Sequence, residues 1–200
     1  MLLRSLVVVC ALFAPLVFAA PEIGQPAPAF TAIDSNGKAV KLSDFKDKHV
    51  VLEWTNNKCP FVKKHYSGGN MQGLQTFAHE KGVVWLSVIS SAPGKEGHVD
   101  GAGANALTKD RGASPSHVLL DESGAIGRLY EAKTTPHMFI VAPDGKLIYK
   151  GGIDSNASAD PDDIADATPY VKVALTEALA GKPVTESSTR PYGCSIKYGS

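Results

Sequence analysis

The chain has 200 residues and carries no net charge at neutral pH, because 20 Lys and Arg balance 20 Asp and Glu. This length corresponds to about one domain with enough residues to bury a sizeable core. The charge balance excludes the strong basic excess of proteins that bind nucleic acids or anionic membranes, and we expect no nucleic-acid partner.

Residues 1–19 have the pattern of a secretory signal peptide, since Arg4 precedes a short apolar run that ends in small residues. We therefore predict an exported protein of the periplasm or cell envelope. A retained or lipid-linked anchor is the alternative. Cys10 lies inside the apolar run and would leave with it, so Cys59 and Cys194 would remain in an oxidising compartment.

The next elements along the chain are a predicted β-hairpin and a buried strand. Residues 35–37, Ser-Asn-Gly, lie between runs of alternating apolar and polar residues, which indicates the hairpin. The apolar run bounded by charges over 49–54 predicts the strand. A polar turn follows, and Pro60 suits the first turn of a helix, where its missing N–H is not needed.

The rest of the chain alternates helices and strands. The first helix is expected to break at 67–69 and to resume over 70–81, with Asn70 as its N-cap. Later elements are predicted as a strand over 82–91, a helix over 102–111, a strand over 117–121, a short helix over 124–132, a hairpin over 137–152 and a helix over 168–180. This order predicts an α/β sheet covered by helices on both faces, in one domain over 20–181, and a tail over 182–200 that either wanders or docks.

Cys59 is the first candidate catalytic residue, because it lies between the end of a strand and the start of a helix. Unpaired N–H groups and the positive end of the helix dipole would face its sulfur. Lys63 and Lys64 would add positive charge about one turn later. All three effects favour the thiolate, the form that attacks disulfides and peroxides. The alternative is a buried, inert cysteine.

Two further features point to the same chemistry. Glu53 interrupts the apolar strand, where burial would raise the pKa of its carboxyl and allow it to pass protons to a thiol. A strand-edge glutamate that faces solvent is the alternative. The Thr135-Pro136 step comes just before a buried strand, where a cis-proline would turn the chain sharply into the sheet.

With these features, the sequence resembles the thioredoxin superfamily. The segments GQPAPAFTAIDSNGKAVKLSDFKDKHVVLEW, CPFVKKHY, KTTPHMFIV and RPYGCSIKY are similar to its peroxiredoxin-like, or redoxin, branch of exported bacterial proteins. The resemblance spans about 22–198. It implies a thioredoxin fold, in which helices flank a central mixed sheet and an N-terminal β-hairpin precedes the core.

The resemblance also implies roles for individual residues. Cys59 would be the attacking cysteine and Glu53 the buried acid. Thr135 and Pro136 would form the loop that lies behind the sulfur and pairs with an extended substrate. Pro60, next to the cysteine, would also bind the substrate.

Two positions depart from the family patterns. Val62 stands where thioredoxins keep the resolving cysteine, and Asn56 stands where peroxiredoxins carry a threonine, which disfavours efficient peroxidase activity. Cys194, in a glycine-flanked tail, is the candidate to resolve Cys59. A purely structural bridge between the two is the alternative. Residues that could dock the tail or ease deprotonation of Cys194 are Arg190, Tyr192 and Lys197.

The predicted function is a thiol–disulfide oxidoreductase or thiol peroxidase-like enzyme without a cofactor. Its partners would be a disulfide-containing protein or a peroxide, and a thioredoxin-like reductant. One alternative is a non-enzymatic binding module with a static bridge between Cys59 and Cys194. The other is a copper chaperone using His65 or His137, as in Sco-type proteins. Those carry two cysteines four apart, whereas position 63 here is lysine, so we predict no metal site.

Overall fold

The computed structural model describes residues 21–199, and the predicted signal peptide lies outside that range. The strands in this range are β1 (Thr31–Asp34), β2 (Ala39–Lys41), β3 (Val50–Trp54), β4 (Val84–Ile89), β5 (His117–Leu120), β6 (Thr134–Thr135), β7 (His137–Val141), β8 (Leu147–Gly151) and β9 (Cys194–Ser195). The α-helices are α1 (Pro60–Ser67), α2 (Asn70–Glu80), α3 (Gly101–Asp110), α4 (Ala125–Leu129) and α5 (Tyr170–Leu179). Short 3-10 turns cover Leu42–Phe45 and Pro161–Ile164. None of the helices over 21–199 is long and apolar enough to cross a membrane.

The main sheet is mixed, in the order β2-β1-β5-β4-β3-β7-β8. Strands β3, β4 and β5 are parallel to one another, whereas β1 pairs antiparallel with β5 and β7 pairs antiparallel with β3. The β1–β2 hairpin forms where the Ser-Asn-Gly turn predicted it. These pairings confirm the predicted central mixed sheet with its N-terminal hairpin.

The apolar runs form the centre of this sheet. Every residue of β3 and β4 is buried, as expected for central strands covered on both faces. On one face the core contains buried side chains of α1, α2 and α5, and on the other it contains Ile126 of α4. The sheet therefore holds the carboxyl end of β3, which leads to Cys59, between two packed layers.

The predicted break in the first helix is confirmed, but the predicted cap is wrong. α1 ends at Ser67 and α2 begins at Asn70, whose side chain does not cap the helix. Gly69 precedes it in the left-handed conformation, with φ 70, and turns the chain directly into the helix. The Asn70 amide instead contacts His65 Nδ1 at 2.9 Å.

The C-terminal tail docks on the domain. β9 pairs antiparallel with β6 and forms a separate two-stranded sheet. Farther back in the tail, Ser188 forms a bridge with Lys150 at the end of β8. The tail therefore lies across the end of the sheet at which β3 meets α1.

Candidate active site

Cys59 is the N-cap residue of α1, directly after the loop that leaves β3. Its extended backbone, with φ −66 and ψ 123, ends where Pro60 begins the helix. Pro60 is exposed, whereas Cys59 is completely shielded from solvent. The position expected from the sequence is thus observed, but the sulfur lies beneath other groups rather than at the open surface.

The groups around the Cys59 sulfur act in opposite directions on its ionisation. Sγ donates to the carbonyl oxygen of Thr135 at 3.1 Å, a contact that favours the thiol. Burial by itself would raise the pKa of Cys59. Hydrogen bonds from the Cys194 side chain and from the backbone N–H groups of Val62 and Cys194 outweigh the effect of burial, and the pKa of Cys59 is lowered.

The two lysines predicted to assist Cys59 have different environments. Lys63 is exposed. Lys64 is buried, with its Nζ donating to the Asn156 carbonyl at 2.9 Å and lying 3.9 Å from Asp154 Oδ2. The expectation that Lys64 supports the thiolate is therefore wrong, because its ammonium is committed to a buried contact with the loop after β8.

Cys194 is the second cysteine at this position. β9 places it opposite Thr135, and its half-buried thiol contacts that of Cys59 without a disulfide between them. Burial, followed by the hydrogen bond and negative charge of Cys59, raises the pKa of Cys194 to about 12. The structure therefore pairs an acidified thiol with a neighbour that keeps its proton.

Glu53 is fully buried in β3, so the alternative of a solvent-facing glutamate is wrong. Its carboxylate accepts hydrogen bonds of 2.9 Å from each of three side chains, the Tyr66 hydroxyl, Trp85 Nε1 and the Ser87 hydroxyl. Burial raises the pKa of Glu53, although these donors oppose the change. Sequence reasoning missed the three donors. The one signal that could have found a donor is the parallel register of β3 and β4, which sets Ser87 opposite Glu53.

Thr135 and Pro136 form the loop opposite Cys59. The peptide bond between them is cis, as predicted. Thr135 is buried, and its carbonyl is the acceptor for the Cys59 sulfur. The structure thus brings Cys59, Thr135 and Cys194 together, with Glu53 in the strand that leads to them.

A buried polar cluster beside α1 was missed by the sequence analysis. The Tyr192 hydroxyl donates to Asp154 Oδ1, and His65 Nε2 lies 3.0 Å from the same hydroxyl. Since the Asn70 amide donates to His65 Nδ1, the ring donates through Nε2 and is neutral. Burial lowers the pKa of His65 to about 4. Tyr192, a predicted docking residue of the tail, is thus bound to α1 and to the loop after β8.

His137 is a buried residue of β7. Its Nδ1 accepts from the Lys133 backbone N–H at 3.2 Å, and its ring contacts that of Phe139 with centroids 4.5 Å apart. Burial lowers the pKa of His137 to about 3. Over the part of the chain that the structure describes, no three His, Cys, Asp or Glu side chains are grouped as metal ligands.

Known proteins resemble this chain in sequence and fold. Residues 22–168 match the family model described as Redoxin. The thiol-disulfide oxidoreductase ResA of Bacillus subtilis is 28% identical over 156 residues, which cover 72% of this chain and 78% of ResA. An uncharacterized conserved protein from Geobacillus kaustophilus has a TM-score of 0.78 at 28% identity, over 89% of this chain and 93% of that one.

The fold is confirmed by a more distant structure. The thioredoxin domain of a thiol-disulfide oxidoreductase from Bacteroides vulgatus has a TM-score of 0.53 at 21% identity, over 74% of this chain and 98% of that one. The likeness identifies the central mixed sheet and its helices as a thioredoxin fold. The tail that carries Cys194 lies beyond the residues matched by the family model.

Proposed function

Because this chain belongs to the Redoxin family, we propose that it is a thiol–disulfide oxidoreductase with Cys59 as nucleophile and Cys194 as resolving thiol. The observation that carries the proposal is the contact between the two thiols. The Cys194 thiol lowers the pKa of Cys59, whereas burial and the Cys59 thiol together raise the pKa of Cys194. The relative named thiol-disulfide oxidoreductase supports an oxidoreductase role.

In the first step, the Cys59 thiolate attacks one sulfur of a substrate disulfide. A bond forms between Cys59 and that sulfur, the substrate S–S bond breaks, and the other substrate sulfur leaves as a thiolate and takes a proton. The hydrogen bonds that lower the pKa of Cys59 maintain its thiolate for this attack.

In the second step, Cys194 attacks Cys59. In the reduced pair, the hydrogen bond and the negative charge of Cys59 contribute to the raised pKa of Cys194. Formation of the mixed disulfide removes that negative charge. Cys194 then loses its proton more easily, attacks the Cys59 sulfur and releases the second substrate thiol. The substrate disulfide is reduced and the Cys59–Cys194 disulfide is formed.

Glu53 would serve as the proton reservoir of the site. Its buried carboxyl has a raised pKa, and the Tyr66 and Ser87 hydroxyls contact its two oxygens. A carboxyl with a raised pKa can take up and release a proton as the thiols lose and gain theirs. Thr135 and Pro136, with Pro60 at the start of α1, would form the substrate-binding surface.

Protein disulfides are favoured over peroxides as substrates. The Asn56 side chain, at the position of the peroxiredoxin threonine, is bound to backbone, with Oδ1 accepting from the Lys58 N–H at 2.8 Å and Nδ2 donating to the Glu96 carbonyl at 3.3 Å. Because asparagine has no hydroxyl, the position lacks the group that would activate a peroxide. We also propose export, with an exported thioredoxin-like protein as reductant, because residues 1–19 have the signal-peptide pattern.

The proposal is tested with reduced protein and insulin, whose disulfide reduction is measured as turbidity with dithiothreitol as the terminal reductant. We expect activity that is lost in Cys59→Ser. Unchanged activity in that variant would contradict the proposal. An inactive wild type with a reduction-resistant bridge would favour the binding module, and stoichiometric copper lost in Cys59→Ser would favour the chaperone.

A further inference from the structure

The edge of β6 is occupied by the chain's own tail. Cys194 lies opposite Thr135 in the antiparallel pairing of β9 with β6. Just before it, Gly193 adopts φ 129 and lies so close to β6 that a Cβ there would be 2.0 Å from the Thr135 carbonyl oxygen. Just after it, the Ile196 N–H donates to the Lys133 carbonyl at 3.2 Å. Tail backbone thus covers the backbone of the loop that faces Cys59.

On one side of Cys194, the tail is fastened to α1 through Tyr192. The Tyr192 hydroxyl donates to Asp154 and lies 3.0 Å from His65 Nε2. Its ring meets that of Phe61 edge to face, with centroids 5.9 Å apart. Because His65 is buried, removal of the hydroxyl would leave its Nε2 without a hydrogen-bond partner, and Asp154 Oδ1 would keep only the Asn156 N–H.

On the other side of Cys194, the tail is fastened near α4. Ile196 is buried in the main core. The Tyr198 hydroxyl donates to the Ala132 carbonyl at 2.8 Å, and its ring lies 4.6 Å from the Arg128 guanidinium. Gly127 allows this contact, since a Cβ there would lie 2.3 Å from the Tyr198 oxygen. The tail is thus held on both sides of the cysteine pair.

We propose that residues 192–199, the strap, occupy the docking edge for an extended polypeptide disulfide, which must displace β9 from β6 to react. This inference rests on the proposed function, because Cys59 must be the nucleophile. Cys59 has 0% exposure beneath the strap, so an external disulfide reaches its sulfur only after Cys194 has moved away.

An extended polypeptide fits the edge because one strand would replace another. Added as a strand on β6, it would recover the backbone hydrogen bonds that β9 gives up, with its own cysteine in the place of Cys194 opposite Thr135. A small disulfide needs only a local departure of Cys194 and recovers none of these bonds. The strap therefore competes with polypeptides more than with small disulfides.

Two probes with the same leaving group separate these cases. One is an unstructured twelve-residue peptide whose single cysteine is joined by a disulfide to nitrothiobenzoate, and the other is free cysteine with the same group. Attack of the Cys59 thiolate on the cysteine sulfur forms a mixed disulfide and releases the nitrothiobenzoate thiolate, which is followed by absorbance. The readout is the ratio of the peptide rate to the free-cysteine rate, since a changed pKa of Cys59 alters both rates equally.

Gly193→Val in the full chain is the principal variant. Its side chain would collide with the Thr135 carbonyl and lift β9, so we expect the ratio to rise about tenfold, in proportion to the open fraction. The matched control is Gly199→Ala in the same strap, where a Cβ would lie 3.4 Å from that of Ala92, and it should keep the wild-type ratio.

A second variant makes the test independent of how Gly193→Val folds. Tyr192→Phe keeps the ring and removes only the hydroxyl bound to Asp154 and His65, so we expect the ratio to rise by about threefold or more. If both probes react and every folded variant keeps the wild-type ratio, the proposal that the strap occupies the docking edge is overturned. Release of nitrothiobenzoate from neither probe in the wild type would overturn the proposed function instead.

Discussion

The backbone of Cys194 pairs with that of Thr135, the residue whose carbonyl accepts the hydrogen bond of the Cys59 thiol at 3.1 Å. One residue of the cis-proline loop thus positions both cysteines, one through its carbonyl and the other through the β6–β9 pairing. This relationship brings a cysteine of the C-terminal tail to the N-terminus of α1, where Val62 cannot serve as the resolving residue.

Cys194→Ser should separate the two steps of the reaction. Attack by Cys59 is retained, but the mixed disulfide is no longer resolved from within the chain, so turnover should fall by at least about 100-fold with loss of the intramolecular attack. Mass spectrometry of the quenched reaction should show substrate joined to Cys59. A variant that turns over at the wild-type rate without that adduct would show that Cys194 takes no part in resolution.

The pH dependence of Cys59 alkylation should report its lowered pKa. The thiolate is the reactive form, so the rate with iodoacetamide should rise with pH and level off above a midpoint below 9.0, the ordinary value for the thiol. In Cys194→Ala, which lacks the side-chain donor, the midpoint should move upward. Equal midpoints in the two proteins would mean that the Cys194 thiol does not stabilise the thiolate.

Glu53→Gln should change how stability depends on pH. The folded pKa of Glu53 lies above 4.5, so the folded state holds its proton more tightly and wild-type stability falls as pH rises through this range. Gln cannot ionise. The free energy of unfolding of the variant relative to wild type should therefore increase with pH, by about 1.4 kcal/mol per pH unit between the unfolded and folded pKa values.

Denaturant unfolding at a series of pH values from 5 to 8 measures this difference. Glu22→Gln, in the extended N-terminal segment, provides a control that removes an exposed carboxyl. A constant difference between Glu53→Gln and wild type across the series would mean that the carboxyl is ionised in the folded protein throughout.

Local patterns predicted most of the fold and the position of Cys59. The apolar run of β3, the hairpin turn and the proline at the start of α1 act over a few residues, so they can be read from the sequence. The cis bond before Pro136 was also predicted, with help from a family resemblance. These features depend on backbone conformation or on burial of a single segment.

The missed features depend on contacts between distant segments. The donors to Glu53 come from α1 and β4, and the partners of Tyr192 come from α1 and from the loop after β8. The position of Lys64 was misjudged because sequence distance alone suggested that its ammonium would lie near Cys59. In the folded protein, the Lys64 ammonium lies 3.9 Å from the buried carboxylate of Asp154 instead.

Val62→Cys should supply the resolving cysteine that α1 lacks. Val62 is fully buried in the first turn of α1, and its backbone N–H is hydrogen-bonded to the Cys59 sulfur. Residues three apart on a helix have Cβ atoms about 5–6 Å apart, and small adjustments bring them to the roughly 3.5–4.5 Å of a disulfide. In a Cys194→Ser background, Val62→Cys should therefore restore insulin reduction by at least about tenfold, because an intramolecular attack is again available.

The matched control is Val62→Ala in the same background, which removes comparable volume without adding a thiol. Equal activity in the two double variants would show that a thiol at position 62 cannot reach Cys59.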